Sequence, residues 1–377
     1  MTVPGDGRSR RDAFHDYAGA ALDRRLVDEV VGTRRERPRL GASTVVLVLM
    51  ATAVHLVLLA LVVTGVGLLA AGSTWVLRVL GVVALLAAVA MVAAPGVRVP
   101  RGSGLLGESP ALAGLVEEVA GCVGGPTPHR VELSPEFTAF VTSTRTGRRV
   151  LTIGAPLWVA LGPQARVALL GHELGHFAHR DVLSGRYVGA AMVEVRAWLD
   201  VLAGNGDPDD AAQRAMAAVT WPVRAVLTGY LRLMTLLDGP SRRRQEVFAD
   251  LASVRVAGTA GAVDLLETVL AEDGVVVACN RTAVTAGRPP LRPAIEAVAA
   301  GLDDARRAGL RRAGASRRSR IDDSHPATVE RLRLVEGVER REPAVVLDAA
   351  REREVEAQLA PHVDDALRWL AASFLSR

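Results

Sequence analysis

The sequence predicts a mainly α membrane protein: an N-terminal transmembrane helical hairpin followed by an α+β domain with a small β-sheet. Three observations carry that reading. Half of the 377 residues are hydrophobic, and no charged residue occurs between Arg39 and Arg78 or between Arg78 and Arg98. Beyond that block, apolar residues recur at helical spacing, as in Leu112, Leu115, Val119 and Val123. Three short runs, 129–133, 137–144 and 149–153, read as strands, the last two joined by a turn at Thr146-Gly147.

Residues 1–42 form an arginine-rich leader. Residues 43–97 form the hairpin. Its first arm is the apolar run from Thr44 to Ala71, long enough to span a bilayer of about 20 residues' thickness with some tilt. Gly72-Ser73-Thr74 turns the chain, and the second arm runs from Trp75 to Val97. Trp75 and Arg78 suit the interface, the ring among headgroups and the arginine snorkelling. One span plus a re-entrant or interfacial helix is the alternative. Arginines 8, 10, 11, 24, 25, 34, 35, 37 and 39 precede the first arm, and Arg98 and Arg101 follow the second. The positive-inside rule then puts both ends in the cytoplasm. Ser9-Arg10-Arg11 lies too far from the apolar run to be an export signal. His55, inside the first arm, reads as a histidine bonded within the hairpin.

Residues 98–110 read as a linker, 111–340 as the main domain and 341–377 as a helical tail. Within the domain, Pro163–His179 reads as a helix. Two apolar stretches, 182–202 and 215–237, form a helical insertion. Their charges, Glu194, Arg196, Asp200, Arg224 and Arg232, suit amphipathic helices buried against protein or lying at an interface, with full spans as the other reading. Ser241–Arg255 and Pro289–Gly309 are expected to be further helices, and 306–320 a solvated arginine-rich loop.

A net charge of +4 on this length gives no reason to expect a nucleic-acid partner. All basic residues are arginine, which points to a GC-rich genome. Two cysteines, Cys122 and Cys279, make neither a disulfide framework nor a thiolate metal site.

The chemistry concentrates in His172-Glu173-Leu174-Gly175-His176, an H-E-x-x-H pattern on a predicted helix. Positions i and i+4 share a face, so both imidazoles can grip one zinc ion. Glu173 is placed to take a proton from a water activated by the metal. The plain alternative is a helix with two surface histidines. A catalytic zinc needs a third protein ligand and an open position. Glu246 is the best candidate, with Asp250 one turn later able to orient a ligating imidazole. An exposed acidic pair beside Arg242, Arg243 and Arg244 is the alternative there.

Together these motifs resemble the HtpX-like family of integral-membrane zinc metallopeptidases, relatives of the type I CaaX prenyl-protein proteases. Glu246-Val247-Phe248-Ala249-Asp250 resembles the family's E-x-x-A-D, Ser324-His325-Pro326 followed by Arg331 its late His-Pro element, and Leu151 to Leu157 its strand and entry to the zinc helix. The resemblance implies a gluzincin-type α+β metallopeptidase domain whose small sheet edges the cleft. It implies one Zn2+ per chain on His172, His176 and Glu246, with Glu173 as general base and then proton donor. Asp250 would stand behind a ligand, His325 would help stabilise the oxyanion, and Arg331 would support the site. The strand carrying Leu151, Thr152 and Ile153 would pair with extended substrate. Relatives often carry Asn before Ala-Phe, where this chain has Thr138; a hydroxyl offers fewer hydrogen bonds than an amide.

The resulting expectation is a membrane-bound zinc endopeptidase of a bacterial plasma membrane, multi-pass, with N-terminus and catalytic domain in the cytoplasm. Its partners would be the lipid bilayer and a polypeptide substrate, either membrane or unfolded protein, in membrane-protein quality control. Two other readings compete. An intramembrane site-two-type protease would use Asp238 of Leu237-Asp238-Gly239, but leaves Glu246 to Asp250 unexplained. A non-catalytic membrane scaffold with a structural metal would have no use for Glu173.

Overall fold

The computed structural model describes residues 42–92, 104–143, 147–178, 181–203, 211–285, 289–316 and 326–375. The leader, most of the linker and His325 lie outside the described residues. The described residues divide into two compact units, one within 39–98 and 181–241, the other within 99–180 and 242–377.

The first unit is helical. Helix α1 (Ala42–Ala71) has 30 residues and is long and apolar enough to cross a membrane. Helix α2 (Trp75–Val92) follows after a three-residue turn, and its apolar stretch Trp75–Ala90 is shorter. The two arms approach at glycine. A Cβ on Gly81 would lie 2.8 Å from the Gly65 carbonyl, and one on Gly65 would lie 2.7 Å from Leu85 Cγ. Small residues allow that close helix–helix approach. Arg78 Nε donates to the Gly72 carbonyl at 3.3 Å, closing the turn.

The expected insertion supplies α7 (Asp181–Ala203) and the first part of α8 (Ala211–Leu270). They enclose Leu47, Ala51 and Val54 of α1 with Val188, Ala191, Met192, Val195, Trp198 and Met234. His55 reaches outside the hairpin for its partners. Its Nδ1 lies 3.1 Å from Glu194 Oε2 and its Nε2 3.2 Å from the Tyr187 carbonyl, both on α7. Outward, Leu49, Leu56 and Val63 of α1 are exposed, as are Val219, Val223 and Val226 of α8.

In the second unit, α3 (Leu105–Glu108) and α4 (Pro110–Val123) occupy part of the expected linker. Ser109 caps α4, its hydroxyl accepting from Leu112 N–H, and Gly124 ends it at φ 74°. Strands β1 (Arg130–Ser134), β2 (Ala139–Ser143) and β3 (Arg149–Gly154) form one sheet in the order β1-β3-β2. β3 runs parallel to β1 and antiparallel to β2. β3 is therefore central. Leu151, Thr152 and Ile153 are paired on both sides and have no edge for a substrate strand, contrary to expectation. Among the described residues, the outer edge of β2 has no strand paired to it.

Helix α5 (Ala155–Ala160) leads to α6 (Pro163–Ala178), which carries H-E-x-x-H. Gly154 at the strand–helix corner must lack a side chain, since a Cβ would lie 2.0 Å from the Glu136 carbonyl. The rest is α8, then α9 (Glu272–Ala283), α10 (Arg292–Ala300), α11 (Asp304–Ser316), α12 (Thr328–Gly337) and α13 (Ala349–Leu375).

Three local expectations change. The helix expected at 241–255 is a stretch of α8, which continues through Pro222 and Pro240 and departs from helical geometry at Gly258. The helix expected over 289–309 is two, α10 and α11, and Asp303 caps the second by accepting from Arg306 N–H at 2.7 Å. Much of the expected arginine loop is α11. Arg307 pairs with Asp264 and Glu267, and Arg311 with Glu267 and Glu336. Acidic partners from α8 and α12 relieve the repulsion that a local reading of this stretch sees.

Candidate metal centre

Helix α6 is buried along almost its whole length, including His172 and Glu173. It meets α8 through small residues. A Cβ on Gly175 would lie 3.0 Å from Ala252 Cβ and 3.3 Å from Ala249 Cα, and one on Gly171 would lie 3.3 Å from Ser253 Cα. That proximity brings the α6 histidines to the α8 carboxylates.

His172 and His176 lie one turn apart, their ring centroids 4.9 Å apart and their planes nearly perpendicular. His172 Nε2 is 3.6 Å from Glu246 Oε2, and His176 Nε2 is 3.6 Å from Glu246 Oε1. These separations are too long for good hydrogen bonds. They match the edge of a tetrahedron around zinc, where ligands at about 2.0–2.1 Å stand about 3.4 Å from each other. One donor atom from each of His172, His176 and Glu246 lies within 4.8 Å of the others, the group among the described residues that could hold a metal ion. Two imidazoles and a carboxylate are a donor set zinc accepts, and three protein ligands leave a coordination position open. The residues present fit the ion.

Behind this trio stands a second layer of charge. His172 Nδ1 lies 3.0 Å from Asp250 Oδ1. Arg331, on α12, donates to both Asp250 oxygens, at 2.7 Å from Nη2 and 2.9 Å from Nε. Its Nη1 is 3.9 Å from Glu246 Oε2. Arg331 Nη2 is also 3.3 and 3.4 Å from the two ring nitrogens of His172, too even a split for a directed hydrogen bond to either.

Burial works against charge throughout the cluster. It acts to raise the Asp250 pKa, but Arg331 and the hydrogen bond to His172 hold that carboxyl below the usual range. Burial and Arg331 both depress His172, yet Asp250 and Glu246 outweigh them and lift it to about 9. Burial and the neighbouring His172 push His176 down to about 4. Arg331 stays charged, burial notwithstanding, because Asp250, Glu246 and Glu173 surround it. The inner nitrogen of His172 thus faces a fixed acceptor, which leaves Nε2 to face Glu246.

The structure brings together His172, Glu173, His176, Glu246, Asp250 and Arg331. His325 lies outside the described residues. Thr138 sits where its carbonyl accepts from Gly154 N–H at 2.6 Å. Sequence reasoning missed two residues on α6, Gln164 and Arg166. Arg166 is buried yet paired with Glu352 and Glu356 of α13. Its sign in the sequence is a charge on the apolar face of a helix.

The family model for peptidase family M48 matches residues 108–339. The chain belongs to peptidase family M48. Curated relatives carry the description protease HtpX homolog. That of Thermococcus kodakarensis is 29% identical over 164 residues, covering 40% of this chain and 53% of the relative. That of Methanocaldococcus jannaschii is 32% identical over 97 residues, covering 24% of this chain and 34% of the relative. That of Thermococcus sibiricus is 29% identical over 161 residues, covering 40% and 53%. The chain thus spans about half the length of the Thermococcus relatives. No solved structure matches. The M48 stretch holds both helices of the candidate metal site and Arg331, and ends before α13.

Proposed function

We propose that this M48 member is a membrane-bound zinc-dependent endopeptidase. The observation that supports it best is the convergence of His172, His176 and Glu246, with one donor atom from each within 4.8 Å of the others, beside a buried Glu173. His172, His176 and Glu246 would hold one zinc ion per chain, which when bound supplies Lewis acidity toward water and the scissile carbonyl. Glu173 accepts the proton of the attacking water and returns it to the leaving amine, so peptide C–N cleavage is proton-balanced. Asp250 accepts from His172 Nδ1–H and fixes the tautomer that presents Nε2. Arg331 holds Asp250 in its charged form. His325 is assigned the oxyanion side of the cleft on the family resemblance.

An extended substrate is proposed to add to β2. Gly154 N–H donates to the Thr138 carbonyl, so the alternation of an antiparallel ladder points Phe140 and Thr142 N–H toward β3 and Val141 N–H outward. Backbone pairing there is indifferent to most side chains, which suits membrane or unfolded polypeptides in quality control. The apolar outer faces of α1 and α8 support placing residues 43–97 in the bilayer and 182–237 in or on it. The flanking arginines support a cytoplasmic N-terminus and catalytic domain at the plasma membrane.

The test is hydrolysis of unfolded polypeptides by detergent-purified protein, with Glu173→Gln beside it. Metal-dependent cleavage abolished by Glu173→Gln is the expected result. Equal cleavage by both would remove Glu173 from the mechanism, and no cleavage of any polypeptide by the metal-loaded wild type would favour the scaffold reading.

A further inference from the structure

We propose that residues 341–347, past the M48 stretch and held down by the first turns of helix α13, form a strap that fixes the spacing of the two metal-carrying helices, with Gln164 as its positioning residue. This rests on the zinc-site reading above and adds to it a device that holds the site's geometry.

Helix α8 breaks at Gly258, at φ 76° and ψ 165°, eight residues past Asp250. A break strips nearby backbone groups of helical partners, and buried groups of this kind must be paired. Residues 341–347 supply the partners. Ala344 and Val345 N–H both donate to the Val256 carbonyl at 3.0 Å. Beyond the break, Thr259 N–H donates to the Arg341 carbonyl at 3.0 Å, and Arg341 N–H donates to Thr259 Oγ1 at 3.0 Å. A Cβ on Gly258 would lie 2.9 Å from Pro343 N, so the strap passes directly over the break.

Gln164 ties the other metal helix to the same point. It sits at the start of α6, two turns before His172. Its Nε2 donates to the Ala257 carbonyl at 3.2 Å and the Val345 carbonyl at 2.8 Å, and its Oε1 accepts from Leu347 N–H at 3.5 Å. One amide thus bridges α6, α8 and the strap. The helices touch here as well, since a Cβ on Gly261 would lie 2.9 Å from Gln164 Cγ.

A second anchor lies two residues on. Arg166 donates from Nε to the Trp158 carbonyl at 3.0 Å and pairs with Glu352 and Glu356 of α13 at 3.1 Å. Trp158 Nε1 donates to the same Glu356 oxygen at 2.7 Å. The strap is thereby held to α6 by its tail and to α8 at the break. Ligand spacing depends on α6 and α8 moving as one body.

The experiment uses the full detergent-purified chain loaded with Co2+ as a spectroscopic probe and, separately, with Zn2+. Wild type, Gln164→Ala, Val345→Pro and Leu367→Ala are compared for the cobalt absorption spectrum, zinc release to a chelator and thermal stability. Val345→Pro removes one strap donor and leaves Ala344 N–H in place. Leu367→Ala thins buried packing far along α13 without touching the strap. The strap predicts a shifted cobalt spectrum and zinc release faster by about tenfold in Gln164→Ala and Val345→Pro, with Leu367→Ala lowering stability but leaving both metal readouts unchanged. If Gln164→Ala does not fold, Val345→Pro alone decides. Wild-type spectrum and release rate in a folded strap variant would overturn the strap, as would equal changes in Leu367→Ala. A wild-type chain that takes up neither metal would overturn the zinc reading and the strap's role with it.

Discussion

Arg331 grips Asp250 with two parallel hydrogen bonds, 2.9 Å from Nε to Oδ2 and 2.7 Å from Nη2 to Oδ1. Both side chains are largely buried, and Asp250 in turn faces His172 Nδ1 at 3.0 Å. The pair is therefore a lever on the metal site. Asp250→Asn keeps the shape but loses the charge, and zinc affinity is expected to fall about 10–100-fold by competition with a chelator. Arg331→Ala removes one of the two partners of the buried Asp250 carboxylate and leaves only His172. Removing one partner of a buried pair costs about 3–5 kcal/mol, so its unfolding transition is expected at markedly lower denaturant.

The proton held by His172 gives metal uptake a pH dependence. In the metal-free chain this imidazole is lifted to about 9, so at neutral pH its proton must leave before Nε2 can act as a ligand. His176, pushed down to about 4, is already neutral there. Apparent zinc affinity therefore rises with pH, by about tenfold per unit between neutrality and 9, and levels off above. Titration calorimetry in buffers of different ionisation enthalpy is expected to show about one proton released per zinc at pH 7. A pH-independent affinity would mean that His172 is neutral before the metal arrives.

Gly258 is expected to tolerate no side chain. Its φ of 76° and ψ of 165° fall where only glycine is at ease, and Arg341 and Pro343 crowd the Cβ position. Gly258→Ala should cost about 2–3 kcal/mol from backbone strain alone, read as a lowered thermal midpoint. Gly67, whose Cβ would meet nothing within 4 Å, provides the contrasting substitution.

In the helical unit, His55 and Glu194 form a half-buried pair. His55→Leu leaves Glu194 with a lost partner in an apolar setting and is expected to destabilise the detergent-solubilised protein. The double variant His55→Leu/Glu194→Leu is expected to recover much of that loss, because an apolar pair of similar volume can replace a buried polar one. Thermal melts of the two singles and the double measure the coupling directly.

Val141→Pro on β2 separates substrate pairing from sheet folding. Val141 N–H points away from β3, and proline is tolerated on an outer edge. The sheet should survive, while kcat/KM on extended polypeptides falls by on the order of tenfold, about the worth of one hydrogen bond. Thr152→Pro, on the central strand, should instead disrupt the sheet.

The candidate site residues were legible because their pattern is local. His172, Glu173 and His176 lie within one helical turn and a fraction, and Glu246 and Asp250 repeat the same spacing on a second helix. That the two helices meet through Gly171 and Gly175 against Ala249, Ala252 and Ser253 is a tertiary fact, though the glycines hint at it. Long-range pairing was not legible. The place of β3 at the centre of the sheet depends on β1 joining it in parallel, which no residue in 149–153 announces. The arginines of α11 read as a solvated loop because Asp264, Glu267 and Glu336, which neutralise Arg307 and Arg311, come from elsewhere in the chain. Gln164 and Val345 are 181 residues apart, and nothing about either residue alone marks the contact.

The zinc content of the detergent-purified chain, measured beside Glu246→Ala, decides whether the three-ligand site exists. The three-ligand site predicts about one zinc per wild-type chain, lost or greatly weakened in the variant while its helical circular dichroism is unchanged. No zinc in folded wild-type protein, or zinc retained equally by Glu246→Ala, would contradict the assignment of His172, His176 and Glu246 as the metal ligands.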